Sequence, residues 1–341
     1  EAETLVAWFV NNSNLSDADK ATIMNNLIMF GTADDTAKAY FAGQIDVAAT
    51  WEPYLTQAKT YTNSTVVFDT KSSSSLVMDG IVFDADWAAA HEDTVKKFVK
   101  GILMSYDQPI NYEAAREVFP MYSTSSDADI DATYANAKMA SWKDNYNILN
   151  DTAPMIYNQM CDIWEALGES VNRDLVNTIF DTTYIDALKG DFKSTSAANA
   201  TTKVTVSDEI RANITQQVTD NLDYDSMLSK TANVTFVPDS SVFTDQASAA
   251  SVLNDFVDIA KTLDGTMIVI NGNINADNQT DVGKQLSANR AQTVANYLAS
   301  QGIDQNRLII TGSGNAKYQA DKAAGTLSSD ASVYQSTDIS F

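Results

Sequence analysis

The sequence predicts two architectures in one chain: an α/β fold with additional helices over residues 1–190, and a separate α+β domain over residues 232–341. Three observations carry this. Short apolar runs alternate with helix-like segments in the first half. Residues 190–205 are rich in Ser, Thr, Ala and Asn without periodicity, the composition of a linker. Residues 267–314 read as strand, loop, helix, strand and turn. The length of 341 residues also fits two domains.

Taken in order, residues 1–10 carry Leu5, Trp8 and Phe9 and read as a helix. The chain begins abruptly at Glu1 inside that pattern, which implies processing or a fragment. Residues 27–30 are predicted as a short strand. Residues 33–41 follow as a helix whose Asp34 and Asp35 suit its N-terminal dipole, with Gly43 at its end. Residues 46–50 are predicted as a strand running into Trp51-Glu52-Pro53-Tyr54. Residues 66–68 and 81–83 are predicted as two more. Residues 207–230 are polar and expected to form a helical connector, so 191–231 is assigned as linker and connector.

In the last part, residues 267–270 form an apolar run stopped by Asn271-Gly272. Val252, Phe256, Ile259 and Leu263 give a preceding helix its buried stripe. Ala291, Val294, Ala295 and Leu298 fall at i, i+3, i+4 and i+7 of a second helix. Ser287 is placed as its N-cap and Gly302 just past its end. Residues 308–310 are a further strand before Gly312-Ser313-Gly314.

Composition narrows the function classes. The 22 basic against 45 acidic residues give a net charge of -23, which opposes nucleic-acid and anionic-membrane binding. No run of about 18 apolar residues exists, so no membrane span is predicted. Cys161 is the single cysteine, so there is no disulfide framework and no cysteine metal site; a buried structural thiol is expected. His91 is the single histidine and reads as a surface residue at a helix start. No Gly-x-Ser-x-Gly turn accompanies it. Asp127, Asp129 and Asp131 alternate as in calcium loops, but the required Gly and Glu are missing. The sequence therefore predicts no enzyme, no cofactor and no metal.

The segment Gly272-Asn273-Ile274-Asn275, then Leu286-Ser287-Ala288-Asn289-Arg290-Ala291, Gly302-Ile303 and Gly312-Ser313-Gly314 resembles the OmpA-like C-terminal domain, a peptidoglycan-binding module. Val234-Thr235-Phe236-Val237-Pro238 is similar to that family's first strand. The resemblance covers about residues 232–341. It implies that Asn275 and Arg290 stand at the positions that grip the zwitterionic end of a diaminopimelate side chain. The family has Asp where this chain has Asn275, and an Asn where it has Gly283. The resemblance thus implies weakened or lost peptidoglycan binding. Arg290 has a second reading, as a residue that packs its stem and pairs with a surface acid.

Residues 40–54, through Trp51-Glu52-Pro53-Tyr54, resemble the nitrate, sulfonate and taurine type of ABC-importer solute-binding protein. Gly80-Ile81-Val82-Phe83, Asp86-Trp87 and Val95-Lys96-Lys97-Phe98-Val99 follow that family's pattern as well. The resemblance implies part of a type II periplasmic-binding-protein lobe over residues 1–190, with the first part of lobe one lacking a counterpart or supplied by a second chain. It implies a small anionic or zwitterionic solute held by Thr50, Trp51, Glu52 and Tyr54. Otherwise Trp51 is a rim aromatic packed on a strand end and Pro53 starts a helix. Together the two resemblances imply an extracytoplasmic, wall-tethered binding protein. The alternative is a non-enzymatic component of the cell surface whose pockets are degenerate.

Overall fold

A computed structural model describes residues 2–52, 54–61, 63–73, 76–106, 108–136, 139–192, 207–219 and 226–341. Most of the linker predicted at 190–205, and Pro53, lie outside the described residues. The packing divides the chain into two compact units: residues 1–8 with 28–202, and residues 9–27 with 203–341.

The helices are α1 (Ala2–Asn12), α2 (Asp17–Asn25), α3 (Ala33–Phe41), α4 (Tyr54–Ala58), α5 (Ala85–Ala90), α6 (Glu92–Ser105), α7 (Tyr112–Val118), α8 (Asp127–Asn136), α9 (Trp142–Asn147), α10 (Ala153–Ala166) and α11 (Thr183–Ala187). Then come α12 (Asp208–Thr219), α13 (Gln246–Thr262), α14 (Asp281–Ser300) and α15 (Ala316–Ala324). The strands are β1 (Ser229–Ala232), β2 (Ile268–Asn273), β3 (Leu308–Gly314) and β4 (Thr337–Ser340).

The α/β prediction for residues 1–190 needs correction. Among the described residues of that region there is no strand: 27–30, 46–50, 66–68 and 81–83 all lie outside any ladder. The physical reason is the absence of a partner. A strand is stable only when a neighbour takes its backbone groups and something covers its apolar face. Here Ile28, Met29, Val47, Val67 and Ile81 are exposed, and Val82 is 91% exposed. What the region does build is helical. Leu103 of α6 packs on Ile185 and Leu188, with Trp142 and Tyr146 against them. The Trp142 indole Nε1 donates to Ile185 O at 2.7 Å.

The last unit has one mixed sheet in the order β1-β4-β2-β3. β2 and β3 are parallel, with Ile268 opposite Leu308 and Ile270 opposite Ile310. β4 runs antiparallel to both β1 and β2. The α14 stripe forms as the 3.6 periodicity predicts: Ala291, Val294, Ala295 and Leu298 are buried, and so are Phe256, Ile259 and Leu263 on or just after α13. Each such leucine or isoleucine contributes about 1.5–3 kcal/mol through burial.

Two glycines set the distance between α14 and the sheet. A Cβ built at Gly272 would lie 2.0 Å from Ser287 O, and one at Gly312 would lie 2.3 Å from Ala288 N. Only a residue without a side chain permits that approach. Ser287 is consequently no N-cap. It lies inside α14, fully buried, where its Oγ accepts from Gly314 N at 3.0 Å and donates to Lys284 O at 2.8 Å. The cap is Thr280, whose hydroxyl accepts from Gly283 N at 3.0 Å. Gly302 follows the helix with φ +94, a conformation that suits glycine.

Two further differences concern the edges of this unit. Residues 234–238 contribute no strand; Phe236 and Phe243 form an isolated bridge that closes a tight hairpin instead. α12, expected as a connector, lies on the sheet: Ile214 packs with Val269 and Ile309. Arg307 is a buried staple that sequence patterning does not reveal. Its guanidinium donates to Thr266 O at 2.7 Å, Ala260 O at 3.0 Å and Leu263 O at 2.7 Å, capping the end of α13.

Candidate functional site

α14 carries Arg290 toward the 235–244 hairpin. The hairpin is held by Thr244 N donating to Thr235 O and Val237 N donating to Val242 O, each at 2.9 Å. Asp239 sits at its tip with φ 53, a left-handed conformation that aspartate tolerates better than most residues. Arg290 Nε donates to Ser240 O at 2.9 Å, and its guanidinium lies over the Phe236 ring at 5.0 Å. Thr293 one turn later donates to Ser241 O at 2.9 Å, a second tie between helix and hairpin. Arg290 is 6% exposed. Burial pushes its pKa down from the usual arginine value, and the nearby Asp239 charge opposes this.

The result is an oriented cation. One side of the guanidinium is fixed by the Ser240 carbonyl and the Phe236 face. The Nη groups have no hydrogen-bond partner among the described residues, and neither is a buried, unpaired atom. A planar guanidinium presented in this way suits a carboxylate.

The loop before α14 contains Asn275, which is exposed and is not hydrogen-bonded to Arg290 among the described residues. The next residues are pinned firmly. Asn315 Nδ2 donates to Ala276 O at 2.6 Å, and Gln319 Nε2 donates to Asp277 O at 2.6 Å. Gln279 Nε2 donates to Ser313 O at 2.8 Å. The Asp277 carboxylate accepts from Tyr318 Oη and Lys322 Nζ, both at 3.1 Å. The Lys322 and Tyr318 hydrogen bonds hold its pKa below the usual carboxylate range. Asn315 is buried, and its Oδ1 lacks a hydrogen-bond partner.

In the first unit, Thr50 Oγ1 donates to Ala33 O at 3.3 Å. Trp51 is 54% exposed. The Glu52 carboxylate accepts from Thr56 N at 3.1 Å and Thr56 Oγ1 at 3.0 Å, so it serves the start of α4. The Tyr54 phenol has a raised pKa, through desolvation and then the neighbouring Asp34 charge. Asp34 also pairs with Lys38. An open depression of about 550 Å³ nearby is lined by Met29, Phe30, Gly31, Asp35, Lys38, Ala39, Ala42 and Gln44. None of the four predicted ligand residues lines it. Lys38, which sequence reasoning did not single out, does.

The remaining candidates have structural occupations. Asp127 pairs with Arg116, Asp129 accepts from Ser126 N and Oγ, and Asp131 accepts from Tyr112 Oη at 2.8 Å. Among the described residues no group of three or more His, Cys, Asp or Glu side chains could hold a metal. His91 stacks on Trp87 with ring centroids 4.5 Å apart. Cys161 is free and buried. No helix among the described residues is long and apolar enough to cross a membrane.

Comparison with known proteins matches one family, described as the OmpA family, over residues 235–330. No curated protein matches the chain. Solved structures match about a third of it. An outer membrane protein of Borrelia burgdorferi B31 is 18% identical, with TM-score 0.26, covering 33% of this chain and 85% of that one. The OmpA-like domain of FopA1 from Francisella tularensis subsp. tularensis SCHU S4 is 23% identical, with TM-score 0.26, covering 32% and 68%. The peptidoglycan-associated lipoprotein of Burkholderia pseudomallei is 21% identical, with TM-score 0.25, covering 31% and 85%.

Proposed function

We propose that this chain is a non-enzymatic, extracytoplasmic cell-envelope protein that associates with peptidoglycan through its OmpA-like domain. The observation that carries the reading is Arg290: its Nε and guanidinium face are committed to Ser240 and Phe236, while its Nη groups have no hydrogen-bond partner among the described residues. Such a group binds a carboxylate without first having to be ordered. The peptide stems of peptidoglycan present carboxylates. Asn275 offers an ammonium group a neutral amide only, so the interaction is weak.

The test is co-sedimentation with purified diaminopimelate-type peptidoglycan. Wild type is expected to be retained weakly, Arg290→Ala to be lost, and Asn275→Asp to be retained more strongly. Circular dichroism checks that each variant keeps its fold. If Arg290→Ala stays folded and binds as wild type does, the reading fails. The domain is then an assembly module of the cell surface.

For residues 1–190, the same proposal assigns capture of a small anionic or zwitterionic solute. It is supported by the sequence resemblance at 40–54 and by Lys38 at the wall of the nearby depression. Calorimetry with sulfonates, nitrate and phosphate tests it. Heat with one of them, lost in Lys38→Ala or Trp51→Ala, supports it; no heat with any removes it.

A further inference from the structure

The two edges of the sheet are protected by different means. β1 is short, four residues, and carries Lys230. A short charged strand is a poor template for pairing with another chain. β3 is the opposite: its seven residues, Leu-Ile-Ile-Thr-Gly-Ser-Gly, contain no charge and no proline. Among the described residues it stands at the sheet edge, paired with β2. By composition and length it is a template for pairing.

α12 lies over β3 and holds its first carbonyl. Its residues 211, 214, 215 and 218 fall at i, i+3, i+4 and i+7, one face of the helix. Arg211 donates through Nη1 to Leu308 O, the first carbonyl of β3, and through Nη2 to Asn306 O at 3.2 Å. Ile214 and Val218 pack with Val269, Ile309 and Met267 on the sheet. Away from this stripe Asp208 and Glu209 are exposed, and so is the apolar Ile210. A 12-residue helix with this narrow a stripe forms through its docking and not through its own propensity.

We propose that α12 is a guard helix: docked, it keeps the OmpA-like sheet from self-association, and undocked, it exposes β3 and the Val269–Ile309 patch as an interface for a second copy of this chain. The occupant follows from the strand itself. Two uncharged β3 edges can pair with one another across a twofold axis, as isologous contacts do. Residues elsewhere on the unit need not change.

The experiment uses the full chain. Ile214→Asp places a carboxylate in the apolar contact, and Arg211→Ala removes the carbonyl clasp more gently. Hydrogen exchange of residues 306–312 and sedimentation velocity are measured for both and for wild type. The expected result is exchange at least tenfold faster at 306–312 in Ile214→Asp, unchanged exchange at 229–232, and a dimer whose population rises with concentration. Arg211→Ala should show the same changes to a smaller extent. Unchanged exchange at 306–312 in both variants overturns the proposal. So does faster exchange without dimer. If Ile214→Asp loses its circular dichroism, Arg211→Ala decides alone by the same criteria.

Discussion

Residues 268–270 and residues 81–83 have similar composition, Ile-Val-Ile and Ile-Val-Phe, and quite different fates. The first triplet is fully buried, with β3 on one side and β4 on the other. The second has no backbone hydrogen bond among the described residues, and its Val82 is nearly as exposed as a residue can be. The difference lies outside both triplets. α14 covers one face of the sheet and α12 packs on the other, whereas in the second triplet Phe83 meets the rings of Trp87 and Phe98 and Ile81 and Val82 stay exposed. An apolar run is therefore permission to form a strand, and the partner decides.

The largest expected effect sharpens the contrast where packing is tightest. Gly272→Ala places a methyl group against the α14 backbone and should destabilise the last unit by about 3 kcal/mol. Denaturant unfolding should show that transition shifting while the Trp142 environment in the first unit keeps its midpoint. Arg307→Ala leaves three carbonyls near the end of α13 without their donor and should cost about 2 kcal/mol. Thr280→Ala removes the α14 cap and should cost about 1 kcal/mol.

Smaller effects probe the loops. The Asp277 pKa is depressed in the folded state by Lys322 and Tyr318. Its contribution is thus complete above the unfolded carboxyl pKa of about 3.9. It is lost as pH falls below that through the folded value. NMR titration should show the Lys322 Nζ and Tyr318 signals moving together in that acid window, and not between pH 5 and 8. Val82→Ser should change stability by no more than about 0.5 kcal/mol, since the valine is already in solvent. A larger loss would mean that the first unit packs 78–83 after all.

What the sequence made legible follows the same logic. The α14 stripe was readable because Ala291, Val294, Ala295 and Leu298 face one continuous core. α14 starts two turns before Ser287, because the apolar stripe that marks the helix begins only at Ala291; Gly283 stands in its first turn. Its role is spatial: a Cβ there would lie 2.8 Å from Ile274 Cδ1. β1 and β4 carry one buried apolar residue each, Ala232 and Ile339, so no alternation marks them. At the candidate site Arg290 stood out, but Phe236 and Ser240 did not, because they meet it across about fifty residues of chain. Arg307 was invisible for a similar reason, since its acceptors lie 41 to 47 residues earlier.

Native-state hydrogen exchange over the whole chain tests the central contrast most directly. Slow exchange is expected for amides of 268–273, 308–311 and 337–340, and near-unprotected exchange for 27–30, 46–50 and 78–83. Protection at 78–83 comparable to that at 268–273 would contradict it.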